Sequence, residues 1–245
     1  GEKRSGREFA HLEQRLGATV KRTQQGFTLI EVMVALAIMT VLSIMAWQGI
    51  SGMLQAQKFS RERSAQVAVM QTALAQWGSD LDHVSYGVDY LGDIPAIRYD
   101  GSSLFIVRYD AMRGDRALIV VAWTKRPDDG NADSKDARGS WLRWQSAAIT
   151  TSTDLREANN QAQAWASAGA DTELRGAELN IMPIARFEVQ SFEDGAWASD
   201  TTIPSSKGKN GDDALRLILQ PAEGGLFAGT ITRDWLRPTL AGGGS

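Results

Sequence analysis

The chain of 245 residues contains no cysteine, two histidines and six prolines. Without cysteine the protein cannot form a disulfide, so its stability must come from packing. His11 lies in a basic N-terminal stretch, which leaves His83 as the candidate imidazole base of a Ser-His-acid triad, and no G-x-S-x-G sequence accompanies it. P-loop and dinucleotide-binding fingerprints are also missing. The sequence therefore predicts a protein that is not an enzyme.

Residues 21–50 carry the most informative pattern in the chain. Lys21, Arg22 and Gly26 stand before a long apolar run in which Glu31 is the single charge, and residues 32–57 contain no charged side chain. At about 1.5 Å per residue this run exceeds the roughly 30 Å hydrocarbon core of a bilayer. It also exceeds the 7 to 15 apolar residues or so of a secretory signal. We therefore predict a membrane-spanning helix, within which Glu31 needs a partner.

The same residues resemble the processing site of type IV prepilins and type II secretion prepseudopilins, in which a basic leader ends in Gly, Phe follows, and Glu is the fifth mature residue. Gly26, Phe27 and Glu31 match this pattern. The resemblance implies that a prepilin peptidase cuts between Gly26 and Phe27 and that the amine of Phe27 is then methylated. It also implies that Glu31 pairs with the charged N-terminus of a neighbouring subunit during assembly.

Charge predicts the orientation of the chain. Residues 1–26 carry six basic and three acidic residues, a net charge of +3, and the remainder carries 20 basic and 26 acidic residues, or −6. By the positive-inside rule the N-terminal end stays cytoplasmic, so the rest lies in the periplasm as a single-pass inner-membrane protein. The acidic remainder shows no basic face, which disfavours nucleic acid as a partner.

Periodicity predicts an α+β protein of pilin-like architecture, with a long helix packed on an antiparallel sheet. We expect a leader over residues 1–26, a transmembrane helix over 27–50, a stalk helix over 51–83, a globular domain over 84–240 and a flexible tail over 241–245. Gly49 and Gly52 are expected to interrupt the helix. Apolar residues on one stalk face should pack on the domain, while Asp80 falls among the polar positions outside that stripe. The stripe consists of Val67, Met70, Leu74, Trp77 and Leu81.

The remaining chain favours strands. Asp100 and Gly101 predict a hairpin turn between two of them, and Asp194 with Gly195 predicts another. An Ala-, Gln- and Asn-rich stretch at 154–168 predicts a short surface helix. Strands are expected over 97–99, 104–109, 117–124, 141–145, 184–192, 214–220 and 226–235.

The chain resembles minor pseudopilin J of type II secretion in two respects. It has 219 residues from Phe27 onward, and its segments 184–197 and 214–220 are similar to C-terminal strands of that family. That resemblance implies a subunit at the tip of the pseudopilus, with minor pseudopilins I and K as partners and contact with secreted substrate or the secretin. A minor type IV pilin resembling the W type, acting in pilus initiation or adhesion, is the alternative. A periplasmic binding protein on an uncleaved anchor is a third.

A calcium loop is a weaker hypothesis, and no other cofactor is expected. Asp129, Asn131 and Asp133 place oxygen ligands at alternate positions, as an EF-hand does. Ser134 and Ser140, however, stand where an EF-hand needs Gly and Glu. A solvated acidic loop is the simpler interpretation.

Overall fold

The computed structural model describes residues 26–86, 94–110, 117–128, 138–167, 177–193, 195–198, 203–204, 214–225 and 227–238. The chain divides into two compact units, residues 1–59 and 60–245. The helices are α1 (Leu29–Asp82) and α2 (Ser152–Ala166), and the strands are β1 (Ile97–Tyr99), β2 (Ser103–Tyr109), β3 (Leu118–Pro127), β4 (Gly139–Gln145), β5 (Glu178–Glu193), β6 (Ala196–Ala198), β7 (Ile203–Pro204), β8 (Ala214–Pro221) and β9 (Ile231–Leu236).

Helix α1 runs without a break through Gly49 and Gly52, so the expected interruption is wrong. Glycine lowers helix stability by only about 1 kcal/mol, which the other residues of a 54-residue helix offset. The part of α1 in the second unit, which we call the stalk, buries Met70, Trp77 and Leu81 against the sheet. The predicted apolar stripe is confirmed at these positions, because residues three and four apart share one helical face.

The described strands form one antiparallel sheet in the order β7-β1-β2-β3-β4-β5-β8-β9, with β6 paired to β5. The predicted DG turn joins β1 to β2, and Gly101 adopts the positive φ of 87° that this turn requires. Gly195, with φ of 86°, turns the chain between β5 and β6. Asp194, the other residue predicted for that turn, lies outside the described residues.

Alternation along the central strands gives the sheet two apolar faces. On the face that meets the stalk, Leu104 of β2, Val121 and Trp123 of β3 and Trp141 of β4 are fully buried. The rings of Trp123 and Trp141 lie 5.1 Å apart. On the opposite face, strands β2 to β4 form a second apolar cluster. A sheet whose central strands are apolar on both sides needs a covering element on each.

Helix α2 covers the second face. It buries Leu155, Ala158, Ala162 and Trp165, at spacings of three and four residues. The prediction of a helix in this segment is confirmed, but its assignment to the surface is wrong in part, because one side of α2 belongs to the core. Thr151 caps the helix and exchanges hydrogen bonds with Asp154. The Thr151 hydroxyl lowers the pKa of the Asp154 carboxyl below its ordinary value by donating to its ionised form.

The α+β prediction of a long N-terminal helix and an antiparallel sheet is confirmed. The strand boundaries differ from the predicted ones by up to six residues, and the differences are largest at the starts of two strands. Strand β5 begins at Glu178 rather than at 184, and β9 begins at Ile231 rather than at 226. Gly229, with φ of 88°, bends the chain inside the predicted range, so the strand begins only after it.

Candidate functional site at the start of the apolar helix

The residues with the clearest functional pattern lie at the beginning of α1. Thr28 precedes the first helical residue, and both its backbone N–H and its hydroxyl donate to Glu31 Oε2 at 3.3 Å. In return the Glu31 backbone N–H donates to Thr28 Oγ1 at 3.4 Å. This reciprocal pair is a capping box, which satisfies donors that the first helical turn leaves without partners.

The capping box changes how the single acid of the apolar run is understood. Sequence reasoning asked for a partner for Glu31 on another subunit, and it missed the one three residues away, although T-x-x-E is a recognisable signature. The carboxylate also sits at the positive end of the helix dipole. Both bonds from Thr28 reach one oxygen, Oε2. An ionised carboxylate has about four acceptor positions, so Glu31 retains the capacity to accept from a second group.

Among the described residues of the first unit, the apolar side chains of the helix that follows are exposed. An 18-residue window of α1 has a mean hydropathy of 2.4 and none of it is buried, so this helix is long and apolar enough to cross a membrane once. Phe27 is 85% exposed and Trp47 is 72% exposed. The hydroxyls of Thr40 and Ser43 donate to helix carbonyls four residues earlier, at 2.7 and 2.8 Å. Such internal bonds are what a hydrocarbon surrounding demands of polar side chains.

Nothing in the described part of the chain requires glycine at position 26. A Cβ added at Gly26 would meet no atom within 4 Å, and the residue is not among those with positive φ. The backbone and packing of the described residues therefore tolerate a larger side chain at this position.

The loss of the Thr28 hydroxyl should loosen the first turn of α1. We expect Thr28→Val to accelerate amide hydrogen exchange at Glu31 and Val32, whose N–H groups bond to Thr28, about 2-fold to 30-fold, because losing an N-cap costs about 0.5–2 kcal/mol. Thr28→Ser retains the hydroxyl and should exchange as the parent does. Mass-spectrometric exchange on the full chain in detergent micelles measures both, and equal rates in all three proteins would contradict the capping role.

Of the other sequence candidates, His83 lies within the described residues and the predicted calcium loop does not. His83 is exposed, and its Nδ1 lies 2.8 Å from the Ser79 carbonyl oxygen of the preceding turn. Asp129, Asn131 and Asp133 lie outside the described residues. Among the residues that are described, no group of three His, Asp or Glu side chains could hold a metal ion.

A buried acid that sequence reasoning placed with the polar positions instead anchors the stalk. Asp80 is fully buried and accepts bonds from Arg143 at 2.9 and 3.0 Å, from Trp123 Nε1 at 2.9 Å and from Gln76 at 2.8 Å. Arg108 Nε lies 3.1 Å from Asp80 Oδ1, an ion pair without hydrogen-bond geometry. We call this set the Asp80 anchor. It joins the stalk to the three neighbouring strands β2, β3 and β4.

The Asp80 anchor places two guanidinium groups on one carboxylate. The pKa of Arg108 lies below its ordinary value, chiefly because burial removes water from the guanidinium. Asp80 offsets part of this shift, and the like charge of Arg143 adds to it. Arginine does not deprotonate in proteins, so both guanidinium groups stay charged. The Asp80 carboxylate offsets the free-energy cost of burying these two charges.

The N-terminal segment and part of the chain are similar to known proteins. Residues 21–47 match the family model described as the prokaryotic N-terminal methylation motif. The chain is also 30% identical over 101 residues to the type II secretion system protein J of Klebsiella pneumoniae. It resembles protein J. The two matches confirm the resemblance predicted from sequence, and the aligned part spans 41% of this chain and 46% of the relative.

A solved structure gives a weaker likeness. The crystal structure of the GspK-GspI-GspJ complex of the type 2 secretion system of enterotoxigenic Escherichia coli contains a chain that is 17% identical to this one. The alignment covers 70% of this chain and 96% of that chain, with a TM-score of 0.39. This score is too low to equate the two folds, so the fold assignment rests on the helices and strands described above.

Proposed function

We propose that this chain is a minor pseudopilin of the type II secretion system, of the J type, and that it acts as a non-catalytic subunit at the tip of the pseudopilus. The observation that carries the proposal is the methylation motif at residues 21–47, followed by an exposed apolar helix with one acid in its first turn. The similarity to a J protein supports secretion over a type IV pilus. In this role α1 anchors the subunit in the inner membrane, and the domain after it lies in the periplasm.

The proposed assembly step joins two subunits through Phe27 and Glu31. Cleavage after Gly26 frees the amine of Phe27, and methylation leaves that amine positively charged. The ammonium of one subunit then meets the Glu31 carboxylate of its neighbour when their apolar helices pack. The capping box supports this step, because it positions the Glu31 carboxylate at the helix start and leaves acceptor positions to spare. The proposed partners are the prepilin peptidase and minor pseudopilins of the I and K types, with secreted substrate or the secretin at the tip.

Processing tests the first part of this proposal. We expect Gly26→Ala to leave the precursor uncut in its host, because the proposed peptidase site must accept residue 26 and the added methyl group would enlarge it there. A Cβ at this position meets no atom of the described residues within 4 Å, so the fold of that part of the chain is unaffected. Gly49→Ala is the matched control, since a Cβ there also meets no atom within 4 Å. Immunoblotting of membrane fractions separates precursor from mature protein. Normal cleavage of Gly26→Ala would refute the assigned site.

A further inference from the structure

Strand β5 is longer than the strands beside it, and the described strands leave part of one side of it unpaired. It pairs with β4 through residues 178–184 and, on its other side, with β8 through residues 184–191. Ile184 is the one residue that pairs with both of these strands. Among the described strands, none lies along the second side of residues 178–183. An unpaired strand edge of this kind presents N–H and C=O groups to which another strand can bond.

The open part of this edge covers residues 178–182. Just after β8 ends, the Ala222 N–H donates to the Pro183 carbonyl oxygen at 3.4 Å and closes the edge there. Among the described residues, no backbone bond from a loop reaches residues 178–182. Leu179 is 59% exposed, and Asn180 is also exposed. At about 3.4 Å per residue the open edge is about 17 Å long, enough to pair with about five residues of an extended chain.

An apolar groove of about 390 Å³ lies next to the open edge. It lies between the stalk, β5 and the connection from β8 to β9, and its walls include Ala65, Val69, Ile181, Met182 and Phe227. A β-bulge leaves Ile181 opposite no residue of β4, and both Ile181 and Met182 pack against the apolar cluster that the stalk joins. Side chains along a regular strand alternate between its two faces, so an added strand would direct every second side chain toward the groove. The groove therefore provides an apolar pocket for a side chain of a paired peptide.

The rim of the groove is acidic. Glu223, in the connection from β8 to β9, lines the groove and is exposed. Arg138, the other charged residue of the described lining, already forms an ion pair with Asp128, in which Arg138 Nε and Asp128 Oδ2 are 3.5 Å apart. A basic side chain on a bound peptide would therefore be attracted to the Glu223 carboxylate, and an acidic one would be repelled by it.

We propose that the open edge of β5 binds an extended peptide segment of another protein as an added strand, with an apolar side chain in the groove and a basic side chain beside Glu223. The unpaired main-chain groups favour this occupant, because a helix uses its own N–H and C=O groups internally and cannot bond to a strand edge. Main-chain bonds supply the affinity, and the groove together with Glu223 selects the sequence. This inference goes beyond the proposed function and does not depend on it.

Selection from a peptide library tests the proposal. Random octapeptides displayed on phage are selected on the full chain in detergent micelles, and enriched peptides are synthesised for binding measurements. We expect enriched sequences in which apolar and polar residues alternate and which carry Lys or Arg. Their binding should slow amide hydrogen exchange within residues 178–182, because an added strand protects the N–H groups on the open side. Ala65→Trp fills the groove from an exposed helix position and should weaken binding at least about tenfold, which corresponds to about 1.4 kcal/mol.

Two further variants serve as controls. Gln71→Trp adds the same side chain at an exposed stalk position outside the groove and should bind the peptides as the parent does. Glu223→Lys should weaken peptides with a basic residue and should prefer peptides in which Glu replaces that residue. The proposal is overturned if no peptide is enriched, if enriched peptides lack the alternation or protect other residues, or if Gln71→Trp weakens binding as much as Ala65→Trp. Protection of residues 178–182 that rises with protein concentration and needs no peptide would also overturn it, because two copies of this chain would then pair along the edge.

Discussion

Asp80→Asn should lower the free energy of unfolding of the second unit by about 3–5 kcal/mol, the range measured when one partner of a buried ion pair is removed. The substitution keeps the shape of the side chain but leaves Arg108 and Arg143, each only about one-tenth exposed, without their counter-charge. The total stability of a domain is about 5–15 kcal/mol, so a large part of it depends on this one acid. Urea unfolding of the full chain in mild detergent, followed by tryptophan fluorescence, measures the change.

An exposed ion pair provides the control for the Asp80 experiment. Asp234 forms two bonds with Arg216 at 2.7 and 2.8 Å, but both side chains are partly exposed. We expect Asp234→Asn to lower the free energy of unfolding far less than Asp80→Asn does, because water screens such a pair. If Asp80→Asn does not fold, Gln76→Ala replaces it in the experiment, because it removes one hydrogen-bond donor to Asp80. We expect Gln76→Ala to lower the free energy of unfolding by about 0.5–1.5 kcal/mol. Equal losses for Asp80→Asn and Asp234→Asn would contradict the anchor.

Glu31→Gln should be cut and inserted normally, yet should enter the pseudopilus at about one-hundredth of the parent level or less. The proposed pair between Glu31 and the neighbour's ammonium forms in an apolar bundle, where loss of one partner costs about 3–5 kcal/mol. Glutamine at this position still accepts from Thr28, because Gln serves in a capping box as Glu does. The variant therefore removes the charge and retains the helix start. Shearing and quantifying fibre-associated subunits, together with secretion assays, measures the effect.

Two variants separate charge from capping in that experiment. Thr28→Val removes the hydroxyl from the box and leaves the Glu31 charge in place, so its assembly defect should be far smaller than that of Glu31→Gln. Glu62→Ala removes an exposed acid from the stalk and should assemble as the parent does. Equal defects in Thr28→Val and Glu31→Gln would indicate that the helix start, rather than the charge, is what assembly requires.

Most of the features that could be predicted from the sequence depend on residues that are close together along the chain. The stalk stripe at Met70, Trp77 and Leu81 follows from spacing along one helix. The β1–β2 hairpin follows from the two residues of its turn, of which Gly101 must adopt positive φ. The processing motif is also local, since Gly26, Phe27 and Glu31 fall within six residues.

Features that depend on distant partners escaped prediction. The sequence predicts that Asp80 is a polar position on the stalk. In the structure Trp123 and Arg143, which are 43 and 63 residues away along the chain, donate hydrogen bonds to it. Helix α2 reads as a surface segment because its composition is polar, yet Leu155 and Trp165 complete the core on the second face of the sheet. A groove lined by Val69, Ile181 and Phe227 forms only where β5 and the β8–β9 connection pack beside the stalk. The burial of Asp80 depends on the packed chain and leaves no periodic signal, whereas the buried side of α2 does show the three- and four-residue spacing of a helical face.

The intact mass and N-terminal sequence of the protein, extracted from membranes of its native host, test the central claim most directly. The account predicts a chain that begins at Phe27 and carries one added methyl group on its amine. A chain that retains Gly26 and the basic residues before it would show an uncleaved anchor instead. The pairing proposed for Glu31 would then have no free terminal amine to meet.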